Sequence, residues 1–247
     1  MVRKGLLAVL ALSCCAVALS IALMPTIASA ATEHECTMQA PGEPTNVFYL
    51  SSPCTGEPDM SGNWHRLKTK GVVHPQIFAS SAQQFTGTIL GTPAAFECST
   101  LGSSSGSVEN FEEGGASKIK GSMVFKYTGC SISKPSGCKI NGEANGSAKL
   151  TTETLNTLAT TTGGASSVKF SPSGEKLFTL KLTGCAAEGS FKATGSVTGA
   201  VPGTDESLVE FTSTSGSALT LAGNPATYTG NTKVEKEGTT QVLLIGP

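Results

Sequence analysis

The sequence predicts an all-β fold, an antiparallel β-sandwich or barrel rich in serine, threonine and glycine. After residue 70, apolar residues alternate with polar ones along several segments, as in strands that bury one face. Turn-forming stretches such as EEGG, TTGG and VPG separate these segments, at the roughly 8- to 12-residue spacing of sandwiches and barrels. Only 14% of the residues are charged, and the abundant threonine and glycine disfavour helices.

The clearest strand is KIKGSMVFKY, in which one face carries Ile119, Met123, Phe125 and Tyr127 and the other face carries Lys118, Lys120, Ser122 and Lys126. The same alternation assigns further core-facing positions to Phe178, Leu180, Leu182, Val209, Phe211, Leu219 and Leu221. SSSG is interpreted as another turn. Residues 151–162 could be helical by spacing, but their threonines favour a strand or loop.

The first 30 residues have the order of a secretory signal peptide: basic residues, a long apolar run, then Ala28, Ser29 and Ala30. We expect cleavage after residue 30. Two alternatives are an uncleaved anchor, since the run is long enough to span a bilayer, and lipidation at Cys14 or Cys15. Some ten apolar residues follow these two cysteines, whereas a lipid-acceptor cysteine should end the run.

Cleavage leaves six cysteines, an even number that predicts disulfides in an oxidising compartment: Cys36, Cys54, Cys98, Cys130, Cys138 and Cys185. Their spacings contain no CxxC pair, which argues against a zinc site. We expect Cys36 to pair with Cys54, closing a small β unit over residues 31–70. The alternative for these residues is a flexible leader. Residues 71–247 are then the sandwich domain.

An internal repeat is the most informative feature of this larger domain. GGASKIKGS begins at Gly114 and GGASSVKFS at Gly163, and the strands that follow end in KYTGC and KLTGC. The two copies are residues 114–150 and 163–203, with Cys130 and Cys185 at equivalent positions. The alternative is chance similarity between strands of similar composition. Because Cys138 has no counterpart, we favour pairing Cys130 with Cys138 and Cys98 with Cys185, among the 15 connectivities that six cysteines allow.

With these residues in view, the chain resembles a group of uncharacterised secreted proteins of actinobacteria. The shared features are two N-terminal cysteines followed by a Gly-x-Trp segment (Cys36, Cys54, Gly62 and Trp64), an FECS strand at 96–99, the TGC at 128–130, and GNPATYTG near the C-terminus. The resemblance covers most of the mature chain. It implies export and a β-rich fold, and it implies no assigned activity or functional residues.

Composition and motifs argue against several function classes. A formal net charge of −1, more acidic once the signal is removed, argues against nucleic-acid binding. The mature chain has three histidines and two aspartates, Asp59 and Asp205, and no GxSxG elbow. Neither a calcium loop nor a pair of carboxylates suited to glycoside hydrolysis is present. We therefore expect no catalytic residues and no cofactor.

The segment Trp64, His65 and Arg66 is the one candidate for ligand contact, although a lone Trp in a small unit more often forms its core. The sequence predicts a secreted, non-catalytic binding or structural protein at the cell surface or outside the cell. Its partner would be an envelope or extracellular component, without membrane insertion after signal cleavage. The alternative is a secreted hydrolase whose site has no recognisable motif.

Overall fold

The computed structural model describes residues 31–38, 54, 64–212, 218–238 and 243–246, with the backbone alone at 35–38 and 64–68. All regular elements in these residues are β-strands, so the predicted all-β class is confirmed. Among the same residues, the structure has no helix of the length and apolarity that crossing a membrane requires.

In chain order, the strands are β1 (Thr32–Met38), β2 (Trp64–Lys68), β3 (Val72–Val73), β4 (Pro75–Ala79), β5 (Gln83–Ile89), β6 (Thr92–Glu113), β7 (Ala116–Lys134), β8 (Lys139–Ile140), β9 (Ala148–Thr151) and β10 (Leu155–Thr162). They continue with β11 (Ala165–Pro172), β12 (Phe178–Thr183), β13 (Gly189–Thr194), β14 (Val197–Val201), β15 (Leu208–Phe211), β16 (Thr220–Leu221), β17 (Asn224–Pro225), β18 (Thr227–Lys236) and β19 (Leu243–Gly246).

Eight antiparallel strands close into a barrel. Around the ring the order is β6, β7, β10, β11, β14, β15, β18 and β4, and β4 returns to β6. The longest contact in this ring joins β6 and β7, which pair along most of their lengths. Closing the sheet on itself leaves fewer free strand edges, and it turns one apolar face into an interior.

The two longest strands extend beyond the barrel. β6 has 22 residues and β7 has 19, and β5 and β9 pair with the parts that lie outside the ring. A five-stranded sheet in the order β17, β16, β13, β12, β8 packs against this extension. At the contact, the ring centroid of Phe85 lies 4.7 Å from that of Phe96 and 5.3 Å from that of Phe178. The barrel core and this second layer belong to one apolar cluster.

The predicted core positions are buried. Ile119, Met123, Phe125 and Tyr127 on β7 are each at most 3% exposed, and the assigned residues of β12, β15 and β16 and the adjoining Leu219 are buried as well. Most of the ambiguous segment 151–162 forms strand β10. Its threonines therefore follow their β preference.

The SSSG stretch does not end a strand, contrary to the sequence interpretation. It lies inside β6, where the pairing with β7 shifts register between Ser104 and Ser107. Ser105 has a φ of 49°, so the extra residues form a β-bulge and not a reversing turn. Alternation alone could not separate a bulge from a turn, because both interrupt the period-two pattern.

The favoured disulfide pairing of the larger domain was wrong. Cys98 is bonded to Cys130 with Cα atoms 3.9 Å apart, and Cys138 is bonded to Cys185 with Cα atoms 4.8 Å apart. Because β6 continues through the bulge, Cys98 becomes the direct register partner of Cys130 on β7. The short β8 pairs with the end of β12, and this pairing brings Cys138 next to Cys185.

The two proposed repeat copies share local backbone features but differ in context. Both GG pairs form hairpin turns with positive φ, and both TGC glycines, Gly129 and Gly184, have positive φ. From the GG turn to the TGC, the first copy is one continuous strand, β7, whereas the second divides between β11 in the barrel sheet and β12 in the five-stranded sheet. Cys130 and Cys185 also belong to different disulfides. An evolutionary repeat therefore stays a prediction.

The N-terminal and C-terminal strands meet in a small third sheet. β1 lies between β19 and β2 and pairs antiparallel with both. Residues assigned from sequence to a separate N-terminal unit thus share a sheet with the end of the chain. A domain boundary near residue 70 stays a prediction. Cys54 is buried and disulfide-bonded, but the side chain of Cys36 lies outside the described residues, so their pairing also stays a prediction.

Candidate functional site

The side chain of Asn110 on β6 attaches strand β1 to the barrel. The backbone N–H of Glu33 donates to Asn110 Oδ1 at 2.8 Å, and Asn110 Nδ2 donates to the Glu33 carbonyl at 3.1 Å. Asn110 Nδ2 also reaches Thr69 Oγ1 at 2.8 Å, and the Thr69 N–H donates to the Glu33 carbonyl at 3.1 Å. The side-chain amide can bond to both backbone groups of Glu33 because it offers the same donor and acceptor as a peptide group.

This attachment brings a carboxylate to the barrel interior. Glu33 is 2% exposed, and its side chain lines a cavity of about 30 Å³ together with apolar residues of the surrounding strands. The other polar residue that lines it is Thr157 of β10, which is 6% exposed. Thr157 Oγ1 has no hydrogen-bond partner among the described residues.

The row of side chains around Thr157 explains the shape of this wall. Val108, Gly121 and Thr157 are successive register partners on β6, β7 and β10, and Phe170 on β11 follows them. Cross-strand partners project to the same face, so Gly121 occupies an inward position without a side chain. A Cβ there would lie 2.6 Å from Val108 Cγ1 and 2.1 Å from the Ser107 carbonyl oxygen. Glycine is required because β6 and Val108 occupy that space.

The barrel interior is too full to carry a drug-sized molecule. Small-molecule sites usually enclose about 300–1,000 Å³, and the cavity has about 30 Å³. Its walls include Ile77, Met123 and Phe170, each at most 2% exposed. A molecule of that size does not fit this cavity.

The outer face of the same wall carries a shallow groove of about 430 Å³. Its lining comes from β3, β6, β7 and β10 and comprises Val72, Ser107, Val108, Glu109, Lys120, Gly121, Ser122, Asn156 and Thr157. Val108 and Thr157 line both the groove and the cavity. The groove and the cavity therefore lie on the two sides of the same part of the barrel sheet. We call this surface the β3–β10 groove.

Charges in the β3–β10 groove are already paired. Lys120 Nζ lies 3.2 Å from Glu109 Oε1, with both side chains partly exposed, and it also lies 4.9 Å from the ring centroid of Phe111. Val72 is 58% exposed at the rim. The groove thus offers hydroxyl and amide groups, one neutralised ion pair and an exposed apolar side chain.

A second buried polar group lies where the barrel meets the second layer. Tyr228 donates from its hydroxyl to Gln83 Oε1, and the Tyr127 hydroxyl lies 3.5 Å from that of Tyr228. Gln83 Nε2 donates to the carbonyls of Ser81 at 2.7 Å and Asn231 at 3.1 Å. Burial raises the pKa of both tyrosines, and the neighbouring Tyr127 raises that of Tyr228 further. Every polar atom of the glutamine is used, which indicates a structural role.

The predicted contact residues Trp64, His65 and Arg66 lie on β2, opposite Met38, Thr37 and Cys36 of β1. Their side chains lie outside the described residues, so their role in ligand contact stays a prediction. The described residues contain no group of three His, Cys, Asp or Glu side chains placed to hold a metal ion.

Sequence reasoning missed Glu33, Asn110 and Thr157. Glu33 lies in the alternating segment TEHECTM, where the buried face could not be assigned without knowing that this strand is attached to the barrel. Asn110 follows the bulge in β6, and because the bulge shifts the pairing with β7, the partner and the face of Asn110 could not be predicted from the alternation. Thr157 was recognisable only as one threonine among many.

Comparisons of the chain with protein-family models, with curated proteins and with solved structures found no match.

Proposed function

We propose that this protein is an exported, non-catalytic binding protein that acts at the cell surface or outside the cell. One disulfide joins β6 to β7, the second joins the residues next to β8 and β12, and Cys54 is disulfide-bonded too. Such bonds persist in oxidising compartments. The signal-like order of residues 1–30 supports the same location.

The β3–β10 groove is the surface that we propose for binding, and its lining is the observation on which the proposal depends. The barrel interior is filled, whereas the groove is open and displays Ser107, Ser122 and Asn156 as hydrogen-bonding groups. Its ionisable groups, Glu109 and Lys120, are bound to each other, which suits recognition better than proton transfer. The ligand class that fits is a polar, uncharged component of the envelope, held by hydroxyl and amide contacts.

Capture of envelope fractions by the purified mature protein tests this proposal. Ser122→Tyr places a large side chain at an outward-facing position of the groove, and we expect it to abolish capture. Thr179→Tyr is the matched control, because Thr179 is an exposed strand residue on β12 of the five-stranded sheet. Equal capture by both variants would move the site away from the groove. No capture by the wild-type protein would contradict the binding function itself.

Two further measurements examine export and the alternative of a hydrolase. Intact mass of the secreted protein is expected to show an N-terminus at Ala31 without a lipid; a product that keeps the apolar run, or is acylated at Cys14 or Cys15, contradicts this.

Assays on glycan, ester and peptide substrates are expected to show no turnover. Hydrolysis that disappears in His65→Ala or His74→Ala would favour the enzyme.

A further inference from the structure

The cavity inside the barrel has mostly apolar walls and is also lined by two polar residues. Glu33 reaches it from β1, and Thr157 reaches it from β10. Thr157 is 6% exposed, and its hydroxyl has no hydrogen-bond partner among the described residues. A buried hydroxyl without a partner is unfavourable, because it loses its bonds to solvent and gains none in the protein.

The size of the cavity indicates what can satisfy that hydroxyl. A cavity needs roughly 10–15 Å³ to hold one water molecule, and this one has about 30 Å³. The space therefore suits one or two water molecules and excludes organic ligands. Entirely apolar cavities of larger size stay dry, whereas buried waters occupy cavities that offer polar partners.

We infer that the barrel interior is a specific hydration site, in which water binds between the Thr157 hydroxyl and the Glu33 carboxylate. The hydroxyl both donates and accepts, and the carboxylate accepts, so a bridging water can form bonds with both groups. The inference needs only that the carboxylate lines the cavity, whatever other contacts Glu33 makes. It is independent of the binding function proposed for the β3–β10 groove.

This water completes the attachment of β1 to the barrel. Asn110 on β6 already holds the backbone of Glu33 at 2.8 and 3.1 Å. Water between Glu33 and Thr157 adds a connection from the side chain of the same residue to β10. Together, Asn110 and the bound water link the N-terminal strand to β6 and β10, and the water fixes the side chain that enters the interior.

Water-to-methyl NOE spectroscopy on the disulfide-bonded protein tests the inference. We expect cross-peaks between long-lived water and the methyl groups of Ile119 and Val168, which line the cavity. Thr157→Val keeps the shape and removes the hydroxyl, so these cross-peaks should be lost. Thr157→Ser keeps the hydroxyl and is the control, in which the cross-peaks should persist.

Xenon binding provides a second measurement, because xenon enters dry apolar cavities. The expected signal appears in the variant that has lost the water and is absent from the wild-type protein. We expect xenon to shift the Ile119 and Val168 methyl resonances in Thr157→Val but not in the wild-type protein. Equal xenon shifts in both proteins, or wild-type spectra without water cross-peaks at these methyls, would overturn the inference. Should Thr157→Val fail to fold, the wild-type and Thr157→Ser spectra still decide the question.

Discussion

Asn110 holds both backbone polar groups of Glu33, accepting from its N–H at 2.8 Å and donating to its carbonyl at 3.1 Å. The two residues are 77 positions apart in the chain. One side-chain amide therefore bonds to both backbone groups of a single residue, as a peptide group of a neighbouring strand would. Through this contact the sheet of β19, β1 and β2 is attached to β6, and the Glu33 side chain reaches the barrel interior.

Replacing Asn110 with alanine should loosen β1 selectively. The Glu33 N–H would lose its partner, whereas its carbonyl would keep the bond from the Thr69 N–H at 3.1 Å, and leaving a buried donor unpaired costs about 1–3 kcal/mol of the free energy of unfolding. Chemical denaturation measures the loss, and hydrogen exchange should show faster exchange of the Glu33 amide. Asn156→Ala is the control, because Asn156 is exposed. Unchanged protection of the Glu33 amide in Asn110→Ala would contradict the role of this contact.

Gly230 on β18 is required by the buried glutamine beside it. A Cβ at this position would lie 2.5–2.8 Å from the amide atoms of Gln83, and the φ of 157° is one that side chains rarely adopt. Overpacking of this kind costs about 1–3 kcal/mol, so Gly230→Ala should lower the denaturation midpoint clearly. Gly102→Ala is the matched control on β6, since its Cβ would have no atom within 4 Å. Equal stability of the two variants would refute this packing argument.

The core residues could be predicted from the sequence because period-two alternation indicates directly which side of a strand is buried. The alternating residues of β7 and β12 are buried as predicted. The extent of the strands and the disulfide pairing were harder to predict. SSSG has the composition of a turn, and only tertiary pairing with β7 turns it into a bulge. The wrong partner for Cys98 came from the proposed repeat, which left Cys138 without a counterpart and so favoured pairing it with Cys130, whereas the register of β6 on β7 places Cys98 opposite Cys130.

The candidate site was beyond sequence reasoning for a related reason. Glu33 and Thr157 line one cavity because the ring closes and β1 is attached to it, and neither of these long-range arrangements produces a local sequence pattern. Gly121 carried no signal either, since its need for glycine comes from Val108 on the neighbouring strand. Residues of this kind acquire their roles from long-range register, which composition and periodicity do not encode.

Stability should fall at alkaline pH because of the two buried tyrosines. Burial raises the pKa of Tyr127 and Tyr228 in the folded state, whereas in the unfolded chain it is about 10. The unfolded state therefore releases protons first, and stability present below about pH 10 is lost as the pH rises further.

Alkaline titration followed by absorbance at 295 nm and by near-UV circular dichroism checks this expectation. Tyrosinate from these two residues should form only together with unfolding. Tyr127→Phe should weaken the dependence on pH above about 10. Complete tyrosine ionisation in a protein that keeps its near-UV signal would contradict the burial of the pair.

The disulfide connectivity gives the most direct test of the strand register. Digestion without reduction should release one peptide pair that joins Cys98 to Cys130 and another that joins Cys138 to Cys185. The first pair can form only if β6 runs unbroken through its bulge, and the second only if β8 lies beside the end of β12. Removing the second bond by Cys138→Ser with Cys185→Ser opens a loop with a sequence separation of 47. On the chain-entropy model this costs about 4 kcal/mol of the free energy of unfolding. A peptide linking Cys130 to Cys138 would mean that these cysteines pair across their own loop, and the register of β6 on β7 would then be wrong.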